Sequence, residues 1–312
     1  MCYTVGMTKF LTLQDGIAEF SRHLAKRPLS DNTRKAFVGD VRIFERFLGS
    51  SQGEQAKSIE LALITAEHIK AFLAHQEQGG IANSPKSIER RLTSIKVMFK
   101  WLREAGILAG NPADGIAYKP FVDPLPEYLS DAESAEVIQA ARTLAAGDRL
   151  EMRPLTAIML VLETGIKKGE CLALRVNDIE RRQDGRASIW IRYEKQHLHF
   201  KDRQLFVSDE CLHTLESHIQ RYETKDLLFD CTGRNLEYLF NRKIARAAGL
   251  DALTFEMLRW SCAVRDYREN LLDGEQMQVK YGLSSIGWIE MEAKLVRLVH
   301  HATETINGAE TG

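Results

Sequence analysis

The 312-residue sequence predicts a mainly α-helical protein of two domains: a four-helix unit, then a helical unit carrying a small antiparallel sheet. Three observations carry that expectation. Apolar residues recur at i, i+3, i+4 spacing along most of the chain, apolar–polar alternation is confined to the region around residues 187–207, and a proline-rich stretch separates the halves at 119–130. The length accommodates two cores, and 44% hydrophobic with 27% charged residues is an ordinary water-soluble composition.

Taken in order, residues 11–25 place Leu11, Leu13, Ile17, Phe20 and Leu24 on one helical face. Ser30-Asp31-Asn32-Thr33 supplies cap side chains for a second helix, which carries Phe37, Val41, Phe44, Phe47 and Leu48 and is expected to stop at Gly49. Ser50 to Gln55 reads as a polar loop. A third helix opens at Thr65, carries Ile69, Phe72 and Leu73, and ends at Gly79-Gly80. The fourth begins near Ser84-Pro85 and runs through Ile88, Leu92, Ile95, Met98, Phe99 and Leu102 to Gly106, with Asn111-Pro112 closing the unit. The first domain is therefore expected over 1–118. Residues 119–130, with Pro120, Pro124 and Pro126, form a semi-extended linker, and the second domain spans 131–312.

Ser130-Asp131-Ala132-Glu133 caps the first helix of the second domain. Leu155 to Leu162 is almost wholly apolar and predicts a core helix. Residues 164–179 read as the end of that helix, a tight turn at Gly165, an amphipathic helix with Cys171, Leu172 and Leu174, and an exit toward a strand. Ala187 to Tyr193 alternates as a strand, with Gln204 to Val207 as its partner. Helices follow at 209–222 and 235–248, the latter closing at Ala248-Gly249. A last amphipathic helix over 290–301 carries Met291, Leu295, Val296, Leu298 and Val299.

No apolar run approaches the roughly 20 residues of a membrane helix, and the N-terminus lacks a basic region followed by an apolar block, so a cytoplasmic protein is expected. Cys2, Cys171, Cys211, Cys231 and Cys262 show no paired spacing and read as reduced thiols. No Cys/His cluster has ligand spacing, so neither a metal nor a cofactor is expected. The net charge of −1 hides an asymmetry: residues 1–120 hold 17 Lys/Arg against 12 Asp/Glu, and the remainder 25 against 31. Phosphate contacts are expected in the basic half. The fourth helix concentrates Lys86, Arg90, Arg91, Lys96, Lys100 and Arg103, with Glu89 and Glu104 as its acids. That face is either solvated or follows a phosphate backbone. Arg34 and Lys35, just inside the second helix's N-terminus, stand where the backbone also favours phosphate.

The stretch Thr164-Gly165-Ile166-Lys167-Lys168-Gly169-Glu170-Cys171-Leu172-Ala173-Leu174-Arg175-Val176-Asn177-Asp178-Ile179 resembles the phage-integrase or tyrosine-recombinase pattern T-G-(L/I)-R-x-x-E-L-x-x-L-x-x-x-D-I. Over the first 120 residues, Thr33 with Phe37, Thr65 with Ile69 and Phe72, and Asn111-Pro112 fall in the order of that family's N-terminal core-binding, SAM-like domain. The resemblance implies an integrase-type catalytic domain behind a domain that grips one face of a recombination site. It makes double-stranded DNA the expected partner, met by Arg34, Lys35, Lys86, Arg90, Arg91 and Lys96. In such enzymes a tyrosine attacks a DNA phosphate, two arginines stabilise the developing charge as bidentate donors, and a hairpin lysine protonates the leaving 5′ oxygen.

The family's chemical positions are largely replaced. Lys167 stands at the first arginine and keeps the charge without the planar fork. On the hairpin, Lys195 and Lys201 both resemble the family's lysine. Leu253 to Trp260 matches (I/L)-T-x-H-x-L-R-H, so Arg259 keeps the second arginine while Glu256 replaces a histidine. Glu256 is expected either to repel a scissile phosphate or to pair with Arg259. In Lys280 to Glu292, Leu283 replaces the His/Trp donor, Glu292 stands where the nucleophile belongs, and no tyrosine follows Tyr281. The resemblance therefore implies a DNA-binding, integrase-like protein without covalent catalysis, acting as an accessory or regulatory factor in recombination or integration. The alternatives are a recombinase whose nucleophile is Tyr267 or Tyr281 displaced into place, and an interaction scaffold that has lost DNA. Family tail exchange adds a second copy or an active relative as a partner through the last helix; packing of that helix on its own domain is the alternative.

Overall fold

The computed structural model describes residues 11–52, 59–78, 83–121, 123–147, 151–181 and 186–309, with the backbone alone at 51–52 and 301–309. The chain divides into two compact units, Met1–Asp123 and Pro124–Gly312.

In the first unit, α1 (Leu13–Ala25) starts from a reciprocal cap: Thr12 Oγ1 accepts from the Asp15 N–H at 3.2 Å, and Asp15 Oδ2 accepts from the Thr12 N–H at 3.0 Å. The helix begins after Leu11, which stands 37% exposed instead of joining the expected apolar face. In α2 (Asp31–Gln52), Ser30 Oγ accepts from the Thr33 N–H at 3.0 Å. The helix does not stop at Gly49. A glycine costs a helix interior only about 1 kcal/mol, and the preceding turn is anchored by buried Phe44 and Leu48. Ser50 Oγ then donates back to the Phe47 carbonyl at 2.9 Å. The expected loop thus begins inside the helix; its residues 53–55, the Gly79-Gly80 stop and Cys2 lie outside the described residues. Next come α3 (Ala66–Gln78) and α4 (Pro85–Glu104), the latter capped by Ser84 with Pro85 at its first turn. Ile17, Phe20, Val41, Phe44, Ile69, Phe72, Ile95, Met98 and Phe99 meet in one core.

In the second unit, α5 (Asp131–Ala146) carries the expected capping box of Ser130 and Glu133. Every residue of α6 (Arg153–Thr164) from Pro154 to Leu162 is buried. This helix lies against α5, α8 (Asp209–Tyr222) and α10 (Phe255–Arg268). It ends where Gly165 adopts φ +62° and its N–H reaches the Val161 carbonyl at 2.9 Å. A short α7 (Lys168–Ala173) leads to the sheet, formed by β1 (Ile179–Arg181), β2 (Ala187–Ile191) and β3 (Arg203–Val207) in that spatial order, all antiparallel. Ile189 pairs with Ile179 on one side and Leu205 on the other. The alternation expected to reach Tyr193 ends at Ile191, and the Tyr193 N–H is taken instead by Asp202 Oδ1 at 2.8 Å.

After α9 (Gly233–Leu239) the chain widens into a π-helical turn over Phe240–Ala245, so the helix expected at 235–248 is one rod with an internal bulge. α11 (Gly274–Lys280) and α12 (Ser285–Ala309) complete the unit. α12 starts before residue 290 because Ser284 Oγ accepts from the Gly287 N–H at 3.2 Å. Its residues Met291, Leu295 and Leu298 pack into a cluster with Trp260, Cys262, Met277 and Tyr281 of the same unit. Among the described residues no helix is long and apolar enough to cross a membrane.

The α6–α7 turn is fixed from outside by Tyr281. An ideal Cβ at Gly165 would lie 2.2 Å from the Tyr281 ring. Gly165→Ala therefore combines a left-handed alanine with a steric overlap against a fully buried ring, and is expected to lower stability by about 2–4 kcal/mol in denaturant unfolding.

Candidate functional site

Four elements bring cationic side chains together in the second unit: the α6–α7 turn, the long β2–β3 connection, β3 itself and α10. Lys167 occupies the cap position before α7, where its N–H donates to Glu170 Oε2 at 2.8 Å. Its Nζ turns to the Gly282 carbonyl at 3.0 Å, on the turn between α11 and α12. Burial pushes the Lys167 amine down to about 8; Glu170 opposes this, and the charges of Arg259, Lys201 and Arg203 reinforce it. These three cations are therefore its close electrostatic neighbours.

Arg259 lies on the first turns of α10. Its Nε donates to the Gly165 carbonyl at 2.9 Å and its Nη2 to the Tyr281 carbonyl at 3.2 Å, with the guanidinium 5.6 Å from the Tyr281 ring centroid. Glu256 does not pair with it. At i and i+4 on α10, Glu256 and Trp260 share a face, and the exposed carboxylate accepts from Trp260 Nε1 at 2.8 Å. The expected neutralisation of Arg259 is thus replaced by two main-chain carbonyl contacts.

Sequence pattern left two hairpin lysines open, and they stand in different surroundings. Lys201 is half-buried beside Lys167 and lines a cavity of about 330 Å³ with Phe200, Arg203, Gly282, Leu283 and Ser284. Lys195 is exposed at the other end of the short 3-10 segment Gln196–Lys201. Leu283 is half-buried against the cluster containing Trp260 and Tyr281, so this position contributes packing and no donor. Glu292 is half-buried on α12.

Tyr281, one of the two tyrosines weighed as a displaced nucleophile, lies in the core. It is wholly buried, its hydroxyl donates to Asp266 Oδ2 at 2.7 Å and contacts Cys262 Sγ at 3.2 Å, and burial holds its pKa well above the usual phenol range. Lys280 Nζ meets the same Asp266 oxygen at 2.6 Å. Tyr267 is half-buried against the same cluster.

Sequence reasoning did not single out Arg203. On an inward position of β3 it donates to Glu170 at 2.9 and 3.1 Å and to the Lys280 carbonyl at 2.8 Å, with both partners of the ion pair at most 4% exposed. Tyr193 Oη also donates to Glu170. The Glu170 pKa is lowered from the ordinary carboxylate value: burial opposes this, and Arg203 is the largest cause that favours it. The available signal was a charged residue at a core-facing place in an alternating strand.

In the first unit, the six expected phosphate contacts divide. Arg90 Nη1 donates at 2.5 Å to Asp40, whose side chain is 2% exposed and also accepts from Ser94 Oγ at 2.8 Å. Arg91 Nη1 donates to Gln76 Oε1. Lys96 Nζ sits 4.3 Å from the Tyr118 ring centroid, Lys86 lies 3.5 Å from Asp123, and Arg34 pairs with Asp31 within its own helix. Lys35 is exposed. Arg90 and Arg91 thus each hold a polar side chain of the fold, Arg90 with its own side chain half exposed.

The second unit thus joins a three-stranded sheet to a cluster of Lys167, Lys201 and Arg259, and the first is a four-helix unit. Residues 17–106 match the phage integrase N-terminal SAM-like domain and residues 127–287 match the phage integrase family. The chain belongs to that family. It is 28% identical over 163 residues to tyrosine recombinase XerC of Mycobacterium sp. (strain JLS), covering 52% of each chain. It spans about half the length of the curated relatives it matches. Its fold is similar to that of XerH site-specific recombinase bound to difH substrate, with a TM-score of 0.69, 17% identity, and coverage of 97% of this chain and 99% of that one. A lambda integrase dimer bound to a COC′ core site gives a TM-score of 0.65 at 19% identity, over 88% of this chain and 75% of that one. At such identities the likeness establishes the fold.

Two outcomes are expected from these contacts. Arg90→Ala leaves Asp40 buried with one donor fewer and should lower unfolding free energy by about 1–3 kcal/mol, whereas Lys35→Ala leaves it unchanged. For Lys167, the folded amine releases its proton near pH 8, below the unfolded value of 10.5, so the unfolded chain binds more protons in that window. The stability of the native protein relative to Lys167→Met should therefore rise between about pH 8 and 10.5, with the handicap complete and constant below about pH 8. Paired thermal melts across that range measure it.

Proposed function

We propose that the protein is a DNA-binding member of the phage integrase family that does not cleave DNA, acting as an accessory or regulatory factor where recombination or integration takes place. The observation that carries this reading is the nucleophile's place. Glu292 stands there, and the nearest preceding tyrosine, Tyr281, is locked in the core with its hydroxyl committed to Asp266. A carboxylate at that place provides no stable phosphotyrosine equivalent.

The remaining positions support phosphate binding without transfer. Lys201 and Arg203 line the small cavity at Gly282–Ser284 together with Asp202, and the Lys167 amine reaches the Gly282 carbonyl at 3.0 Å. In this structure, however, the Lys167 amine and the Arg259 guanidinium are held by the carbonyls of Gly165, Tyr281 and Gly282. Leu283 supplies no hydrogen bond, and the fork of the first arginine is missing. What is left attracts a phosphate and lacks both the attacking group and the paired donors that stabilise a pentavalent transition state. Double-stranded DNA is the proposed ligand, with Lys35, Lys86 and Lys96 of the first unit and Lys201 of the second as contacts.

Two assays on the full chain test this. With a random-sequence duplex, gel-shift affinity should fall steeply and linearly in log salt, the signature of counterion release. With a nicked suicide duplex, no covalent protein–DNA adduct should survive denaturation. An adduct that disappears in Tyr267→Phe would establish the displaced-nucleophile reading instead. Salt-insensitive or absent duplex binding would leave the protein as an interaction scaffold.

A further inference from the structure

Lys167 is a cation set among cations. Its amine is drawn in between the α6–α7 turn and the α11–α12 turn, 3.0 Å from the Gly282 carbonyl, with the side chain 33% exposed. The charged groups that face it come from four elements: Glu170 on α7, Lys201 at the end of the β2–β3 connection, Arg203 on β3 and Arg259 on α10. Only one of these is an acid, and it is already occupied. Glu170 accepts from Arg203, Tyr193 and the Lys167 N–H, and its Oε1 lies 4.0 Å from Lys167 Nζ. Asp202, beside Lys201, accepts from the Tyr193 N–H. Arg259 directs two donors to main-chain carbonyls, and neither it nor Lys201 has a carboxylate partner among the described residues. Next to Gly282, Lys201 and Arg203 line a cavity of about 330 Å³, which leaves room beside the amine.

The site thus lacks an anion, and the amine carries the atom on which one can form. We propose that Lys167 is a carbamylation site, where the amine takes up carbon dioxide as a carbamate whose carboxylate faces Lys201 and Arg259. The nitrogen lone pair bonds to the carbon of carbon dioxide, one carbon–oxygen pair moves onto oxygen, and a proton leaves the nitrogen for water. Nothing is oxidised or reduced. The nitrogen keeps one N–H, enough to go on donating to the Gly282 carbonyl. Only a free amine reacts, and the burial and like charges that crowd the ammonium provide it. The Lys167 amine titrates at about 8, so about half of it is neutral at that pH, against fewer than about one in a hundred for an ordinary exposed lysine. The product is an anion among cations, partly withdrawn from water, where such pairing is strongest. Relative to the ammonium the position changes by two charges, from one that attracts a phosphate to one that repels it. The chemistry requires no nucleic acid and holds whether or not the chain binds a duplex.

Trapping with triethyloxonium ion, which esterifies a carbamate, followed by peptide mass spectrometry, tests this on the full chain equilibrated with bicarbonate. At fixed dissolved carbon dioxide, the ester at Lys167 should increase as pH rises through about 8. It should exceed that at exposed Lys35 and Lys195 by about tenfold or more, a comparison within one sample that needs no variant. Lys201→Met, verified as folded by its thermal melt, removes a cation facing the carbamate and should lower its occupancy about threefold or more. No ester at Lys167, an ester there no more frequent than at Lys35 and Lys195, or an occupancy indifferent to Lys201→Met would overturn the assignment.

Discussion

The ring of Tyr281 is the surface on which the second unit's site is assembled. It fills the space a Cβ at residue 165 would take, so the chain must turn there on a glycine. Arg259 lies over the ring and binds the carbonyls of Gly165 and Tyr281, joining the end of α6 to the end of α11. Below, the hydroxyl reaches Asp266, which is also paired with Lys280. With both turns fixed this way, the Gly282 carbonyl faces Lys167, and the amine is half withdrawn from water. The low Lys167 pKa is thus a consequence of packing two turns against one aromatic ring.

A second constraint complements the first. Glu170 and Arg203 form a buried ion pair that ties α7 to β3, with Tyr193 and the Lys167 N–H filling the remaining acceptor sites of the carboxylate. Burying two charges is repaid only when hydrogen bonding is this complete, and removing either partner would strand the other. The pair therefore holds the β2–β3 connection, and Lys201 with it, at a fixed distance from the α6–α7 turn.

Much of the architecture was legible because the signals were local. Helix caps at Ser30, Ser84 and Ser130 sit in the sequence beside the helices they start, and apolar spacing shows which face each helix buries. The misreadings have local causes too. Gly49 did not end α2 because core contacts outweigh a single glycine's propensity, and α12 began early because Ser284 caps it. The site was legible as a set of positions and not as a set of contacts. Glu256, three residues before Arg259, was open to pairing with it, yet its carboxylate accepts from Trp260 at i+4 instead. The partners of Arg259 and Lys167 are main-chain carbonyls, which carry no sequence signal at all.

The Arg90–Asp40 contact gives the basic helix of the first unit a double life. Asp40 is buried and needs a counter-charge whatever the surface of α4 does. Pressure to keep the unit folded is thus enough to retain an arginine at the centre of a face that looks built for phosphate. If duplex binding were lost altogether, Lys35 would be free to drift while Arg90 stayed in place. In this unit, then, Arg90 answers to Asp40 in the core, whereas exposed Lys35 answers only to what lies outside it.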